Sequence, residues 1–493
     1  MRNFIIVLLG VLVSSTDSFG AVNRYMVFFK DKENSTFSID KPEEFLSERA
    51  LTRRNNQNIS MTSNDLPVSP SYLDQLADLP EVNVFFATKW LNGVLVETDE
   101  GNLDEIKLLP FVNEVKYVAP NHVLTGSGNR RHSKKEYMMM SDTNDAESQS
   151  QNAFIGVDIM HNSGYRGEGM LIAVFDSGFD DIDNSSFFSH LFTGDKILGT
   201  RDFIRNSRQV FQYDQHGSKV LSCISAFKEG VYTGTAPQAD LVLCVTEDVG
   251  TEYRIEEYNW LFAAEYADSL GVDVINSSVG YFEFDDERMD YSYDRMDGNT
   301  AIITVAADLA ASKGILVVAS NGNEGNNSWK YLNAPADADS ILAVGSVTYD
   351  KIKSGFSSYG PSSDDRIKPE LSALGSNVKV AFREQIGSAN GTSFSSPLLA
   401  GLAAGFWQAF PQLTNMEVIQ YLKMSASQAH RPDTLQGYGI PNFTLAFNKA
   451  KLNEGGIEEK LVVFPNPVTH KKIIISMPIH RPSREMRQSD LPI

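Results

Sequence analysis

MLIAVFDSGF, residues 170–179, decides the fold class. Its apolar residues run without a polar alternation, as in a strand buried on both faces of a parallel sheet. The run then stops on Asp176, before a Ser-Gly turn. The same build recurs in DLVLCVT (240–246), VDVINSSVG (272–280), ILVVAS (315–320) and ILAVGSVT (341–348), with the helical pattern NTAIITVAADLAASKG (299–314) among them. Apolar strands alternating with helices predict an α/β fold over residues 152–452, a doubly wound and mostly parallel sheet. Several of the runs end in Gly, Ser, Asp or Asn. Open α/β sheets place their chemistry there, at the carboxyl ends of strands.

Three residues in this region can carry a reaction together. Asp176 ends an apolar strand, where a carboxylate is costly unless a specific donor such as an imidazole N–H pairs with it. His216 opens the helical pattern of DQHGSKVLSCISAFKEG (214–230), and among eight histidines it alone stands in a Gly-flanked turn before a mostly apolar helix. Ser393 opens GTSFSSPLLAGLAAGFWQAF (391–410), a long apolar helix whose small first residues leave room for a peptide backbone. Each has a plain alternative when taken singly: a cap for Asp176 and Ser393, a structural imidazole for His216.

The chain order Asp, His, Ser is that of the subtilisin triad. The three segments resemble the signature blocks of the subtilase family, and further blocks follow in the same order. TGTAPQADL (233–241), VDVINSSVG, VVASNGNEG (317–325), FSSYGP (356–361) and KPELSALG (368–375) are similar to the family's intervening segments. The resemblance covers about 300 residues. It implies a serine endopeptidase with Asp176, His216 and Ser393 as catalytic residues, and it requires no cofactor for the chemistry. It also implies Asn323, not Asn321, as the oxyanion donor, and Ser278-Val279-Gly280 as the backbone that pairs with protein or peptide substrates. Two departures stand out. Lys219 replaces the second His of the His block, and Phe394-Ser395-Ser396 stands where Met-Ala-Ala or Met-Ala-Ser is common.

Flanking segments complete the picture. Residues 21–123 read as a small ferredoxin-like unit: a strand at RYMVFF (24–29), a helix over 41–54, a hairpin over 85–98 around Asn92-Gly93, a helix at NLDEIKLLP (102–110) and a strand at VNEVKYV (112–118). They resemble subtilase propeptides, which act as intramolecular inhibitors until cut. Residues 124–151 read as an exposed linker and maturation region, with Arg130-Arg131 and Lys134-Lys135. Residues 1–20 read as a signal peptide, with Arg2, the apolar run Phe4 to Val13, and small residues before Ala21. Ten apolar residues are too few to span a bilayer, which takes about twenty, and no later run is long enough. Residues 453–493 form a tail in which LVVFPNPVTHKKIIISMP (461–478) resembles the start of a type IX secretion sorting domain. The expected location is extracellular or cell-surface.

Composition narrows the partners. With 43 Lys+Arg against 63 Asp+Glu, the net charge of -20 excludes a nucleic-acid ligand, which demands a basic surface. The excess carboxylates allow structural Ca²⁺, and the acidic, aromatic stretch 281–298 is read first as a solvated loop, with Ca²⁺ binding or a preference for basic substrates as its alternatives. Cys223 and Cys244 fit either an export-compatible disulfide or two buried thiols. A non-catalytic binding protein on the same scaffold is the alternative. Keeping Asp176, His216, Asn323 and Ser393 together speaks against it. A serine esterase of the α/β-hydrolase type would show Gly-x-Ser-x-Gly around Ser393, and the chain does not.

Overall fold

A computed structural model of the chain describes residues 22–33, 35–120, 139–140 and 146–453, with the backbone of 462–464 and 474–476. The segment read as a signal peptide, the two basic pairs and the Pro465-Asn466-Pro467 segment lie outside the described residues.

The N-terminal unit has the expected element order: β1 (Val22–Phe29), α1 (Glu48–Asn56), α2 (Pro70–Ala77), β2 (Asn83–Thr88), β3 (Gly93–Asp99), α3 (Leu103–Leu108) and β4 (Val112–Pro120). Its antiparallel sheet runs β2-β3-β1-β4. The helix expected over 41–54 is split. Pro42–Glu44 is a single 3₁₀ turn, and α1 starts only after Ser47, whose hydroxyl accepts the Ala50 N–H at 3.1 Å as a helix cap. The hairpin closes through residues 89–92, not through a two-residue turn: Asn92 takes a left-handed φ of 52° and Gly93 already belongs to β3. A Cβ at Gly93 would lie 2.8 Å from the Val27 carbonyl oxygen, so glycine permits the close pairing with β1.

Strand alternation gives this small sheet two buried faces. Tyr25, Val27 and Phe29 pack into the unit's own core with Leu76 and Phe111. Met26, with Leu95 and Trp90, joins the core of the large domain instead.

The large domain begins with β5 (Met139–Met140), α4 (Ala146–Phe154), α5 (Val157–Asn162), β6 (Leu171–Asp176), α6 (Ser189–Thr193), β7 (Ile197–Asp202) and α7 (His216–Ser225). A short hairpin, β8 (Phe227–Lys228) with β9 (Tyr232–Thr233), leads to β10 (Asp240–Val245), α8 (Ile255–Leu270), β11 (Val274–Ser277) and α9 (Ile302–Ser312). Then come β12 (Leu316–Ser320), β13 (Leu342–Val347), β14 (Leu371–Leu374), β15 (Val378–Phe382), β16 (Gln385–Ala389), α10 (Thr392–Ala409), α11 (Asn415–Ser425) and α12 (Phe443–Asn453). In the tail, β17 (Val462–Phe464) pairs with β18 (Ile474–Ser476).

Seven parallel strands form the central sheet in the order β14-β13-β12-β11-β6-β10-β7. Both faces are covered, as the unbroken apolar runs require. On β6, Ile172 and Val174 meet the core that holds α7 and α10, while Leu171, Ala173 and Phe175 meet the core that holds α8 and α9. The chain winds one way from β6 to β7 and β10, then the other way through β11. That reversal opens a crevice at the strand ends beside β6.

Two readings change, and the alternative left open at the cysteines is decided. The last residues of the expected linker begin α4, where the Gln151 amide both accepts from and donates to the Lys379 backbone at 2.8 and 3.2 Å. The stretch 281–298 is no simple solvated loop: Tyr281, Phe284, Met289, Tyr291 and Met296 are buried, and the Asp290 carboxylate accepts the Phe284 N–H. Of its five aromatics Tyr281, Phe284 and Tyr291 belong to the core, while Phe282 and Tyr293 are half-buried. Cys223 and Cys244 are free thiols, and burial pushes Cys223 up to about 12 and Cys244 higher still.

Candidate active site

Asp176 is the last residue of β6 and is fully buried. Its Oδ1 bonds His216 Nδ1 at 2.7 Å and accepts the Ser177 N–H and hydroxyl at 2.8 and 3.1 Å. Burial pushes this carboxyl above its ordinary range, and the neighbouring imidazole opposes that. With Nδ1 held by Asp176, any proton transfer by His216 runs through Nε2.

His216 is the first residue of α7. Its backbone N–H is held by the Asp214 carboxylate at 2.8 Å, and the same carboxylate accepts the Ser177 hydroxyl. The glycine after it is a packing requirement. A Cβ at Gly217 would collide with the Gly178 carbonyl oxygen and lie 2.9 Å from Asp176 Cβ, so a side chain there would push α7 away from β6.

Ser393 sits in the first turn of α10, where backbone N–H groups have no intrahelical acceptor and the helix dipole favours negative charge. Its hydroxyl donates to the Ser278 carbonyl at 3.3 Å, and the Ser278 hydroxyl donates to the Ser393 carbonyl at 3.0 Å. This pair of bonds ties the start of α10 to the segment just beyond β11. The next residue, Phe394, lays its ring 5.8 Å from the His216 ring, which brings the second and third segments together.

Asn323 follows β12 and is exposed. Its Oδ1 accepts the Thr392 N–H at 2.9 Å and the Thr392 hydroxyl at 3.0 Å. That fixes which way the amide faces, and it leaves Nδ2 beside Gly391, at the mouth of α10. Asn321, by contrast, is buried and donates to the Ser358 carbonyl at 2.8 Å, a structural role.

Sequence reading did not find Thr392, Asp214 or Ser177, which orient Asn323, His216 and Asp176 in turn. Position was the one signal for Asp214 and Ser177, each within two residues of the group it holds, whereas Thr392 meets Asn323 from 69 residues away. The two departures from the family pattern are absorbed by packing. Lys219 is buried with its ammonium 5.9 Å from the Phe382 ring centre, and the Ser396 hydroxyl donates to the Asn276 side chain at 2.9 Å.

The sequence matches the Subtilase family over residues 167–439, more than half of its length. The chain belongs to the subtilase family. Residues 24–136 match the Peptidase S8 propeptide domain of Bacteroidota. Subtilisin NAT of Bacillus subtilis subsp. natto is 29% identical over 349 residues, 69% of this chain and 76% of that protein. Subtilisin of Bacillus pumilus is 31% identical over 273 residues, 54% of this chain and 87% of its own. This subtilase is therefore a serine-type peptidase that carries a propeptide domain. Among the described residues, no helix is long and apolar enough to cross a membrane.

Proposed function

We propose that the chain is the precursor of an exported endopeptidase that cuts protein or peptide substrates through Asp176, His216 and Ser393. The observation that carries this reading is the 2.7 Å bond from His216 Nδ1 to the buried Asp176, with Phe394, next to Ser393 in the first turn of α10, packed against the same imidazole. His216 Nε2 takes the Ser393 proton as the hydroxyl attacks the peptide carbonyl, and Asp176 stabilises the imidazolium that forms. His216 then returns the proton to the leaving amine. The resulting acyl-enzyme is hydrolysed by water through the same base. Developing charge on the carbonyl oxygen is met by Asn323 Nδ2 and the Ser393 N–H, and losing one such donor costs about 2.7–4 kcal/mol, a magnitude established on a subtilisin. An extended substrate lies along Ser278-Val279-Gly280 by strand addition.

Residues 21–123 act as the inhibitor within the precursor, and release follows cleavage within 124–151. The burial of Met26, Leu95 and Trp90 against the α8 side of the peptidase supports that role. The β17–β18 pair around the Phe464-Pro465-Asn466-Pro467 segment supports reading the tail as part of a sorting domain.

Labelling with a fluorophosphonate and cleavage of casein test the reading. Wild-type protein should do both and Ser393→Ala neither. Labelling that survives the substitution, or no casein cleavage by wild type, would sink it. Ser393→Ala should also accumulate uncut precursor, and normal processing of that variant would assign maturation to another protease.

A further inference from the structure

Away from the triad, α1 of the propeptide lies across the C-terminal ends of α8 and α9. Both helices stop at a glycine with left-handed backbone, Gly271 at φ 85° and Gly314 at φ 86°. A Cβ at Gly271 would lie 2.6 Å from the Ala50 nitrogen, and one at Gly314 would lie 2.6 Å from the Gln57 amide nitrogen. The two helix ends are therefore bare where α1 rests on them. Their orphan carbonyls and the negative ends of their dipoles call for donors and positive charge. The α1 segment supplies both. Arg53 donates to the Val272 and Lys313 carbonyls at 2.6 and 3.1 Å, and Arg49 to the Gly271 and Gly169 carbonyls at 3.0 and 2.7 Å. Gln57 donates to the Gly314 carbonyl at 2.8 Å.

Two carboxylates complete the surface. Asp268, in the last turn of α8, binds Arg53, Arg54 and Lys89, and Asp273, just before β11, binds Arg49. Among the described residues, every donor bonded to the Asp268 carboxylate belongs to the propeptide. Once the propeptide leaves, this face presents two carboxylates and five carbonyl oxygens, all of them acceptors. Against them stands the one ammonium of Lys313, which Asp65 of the propeptide holds at 2.9 Å in the precursor. The side chain that best meets several acceptors at once is arginine, through its fixed fork of donors.

Placement makes this face a tether and not a plug. Asp273 also accepts the N–H of Leu171, the first residue of β6, whereas Asp176 is the last. Five residue steps along that strand, at about 3.3 Å each, separate the face from the triad by roughly 16 Å. A helix seated here leaves the cleft open. We propose that on the matured enzyme the C-terminal ends of α8 and α9, with Asp268 and Asp273, form an exosite. It holds protein substrates by a helix that carries arginines at i, i+4 and i+5, the spacing of Arg49, Arg53 and Arg54. The proposal rests on the peptidase reading above, and on release of residues 21–123, and adds a recognition surface outside the cleft.

The test uses matured enzyme produced from the full chain and freed of its propeptide. The probe is a synthetic helix with the sequence of residues 47–58, stapled through the exposed positions 48 and 52. A Gly-Ser linker of about thirty residues, with a mean span of about 30 Å, joins it to a quenched fluorescent peptide substrate. KM for this conjugate should be at least ten-fold lower than for the bare peptide, with kcat within two-fold, because tethering raises the local concentration of the scissile bond and leaves the chemistry alone. A conjugate with citrulline in place of the three arginines keeps the shape without the charge, and should behave like the bare peptide. Asp268→Asn should lose most of the gain and still cut the bare peptide as wild type does. KM values within two-fold for conjugate and bare peptide overturn the exosite, leave the peptidase reading intact and need no variant to fold. A citrulline conjugate as good as the arginine one overturns it too. So does competitive inhibition of bare-peptide cleavage by the unlinked helix, which would place that helix in the cleft. Cleavage of neither substrate overturns both readings.

Discussion

Replacing Asp268 by Asn should loosen the grip of the propeptide on the peptidase. Asp268 lies on α8 and is fully buried beneath the N-terminal unit. Its carboxylate accepts from Arg53 at 2.6 Å, from Arg54 at 2.9 Å through both oxygens, and from Lys89 at 2.9 Å. Burial pushes the carboxyl up, but Lys89, Arg53 and Arg54 together overcome it and hold the group well below the usual range. Breaking a buried ion pair from one side costs about 3–5 kcal/mol, because the remaining charge stays desolvated. Two features here argue for the lower end. Arg53 keeps the Val272 and Lys313 carbonyls, and Arg54 keeps Asp65 at 3.0 Å. A loss of about 3 kcal/mol corresponds to roughly a hundred-fold weaker complex. The assay is inhibition of matured enzyme by added propeptide, residues 22–120, comparing wild type with Asp268→Asn. Peptide hydrolysis without inhibitor serves as the control, because Asp268 does not touch the triad. An inhibition constant within three-fold of wild type would refute the reasoning, and would mean that the apolar face of the propeptide sheet carries the complex alone.

Asn323→Ala should lower kcat by about 10²–10³ with little change in KM, since the lost donor acts on charge that exists only in the transition state; steady-state kinetics on a peptide substrate check it. Glu257 gives a pH signature. Burial raises its pKa from 4.5 to about 7, against Arg254 and the Tyr291 hydroxyl. The folded protein therefore keeps a proton that the unfolded chain gives up, and stability contributed by this group is lost as pH rises from 4.5 through about 7. The Tm of Glu257→Gln relative to wild type should climb across that window and then level off; a difference that is flat with pH would contradict it. Cys223 and Cys244 should resist a thiol reagent in the native protein and react, two per chain, once it is unfolded.

Much of this protein was legible before any fold was known, and for local reasons. Runs such as LIAVFD, apolar on both alternating faces, can only be strands covered on both sides, so the sheet was written into the chain. The segments proposed as catalytic were legible through their order and their resemblance to the family's blocks, since each alone had a plain alternative: a carboxylate closing β6, His-Gly opening α7, and Gly-Thr-Ser opening α10. The resemblance to the family's oxyanion segment also separated Asn323 from Asn321. Edge strand β7 and short β14 escaped, the first because ILGTRD mixes Gly and charge on a half-exposed edge, the second because LSAL is too short to show a period.

What the chain by itself could not decide depended on residues far apart in sequence. Whether the aromatics of 281–298 face water or core, and whether two cysteines meet, is set by which elements pack over them. The same holds for the grip of Arg53, Arg54 and Lys89 on Asp268. Charges interact by distance in space, and only the folded sheet fixes those distances. The sequence alone thus determined most of the strand-and-helix order and pointed to three residues within it that are proposed to react. Tertiary structure decided the orientation of each side chain, the thiol state, and the charged surfaces on which a propeptide or substrate is held.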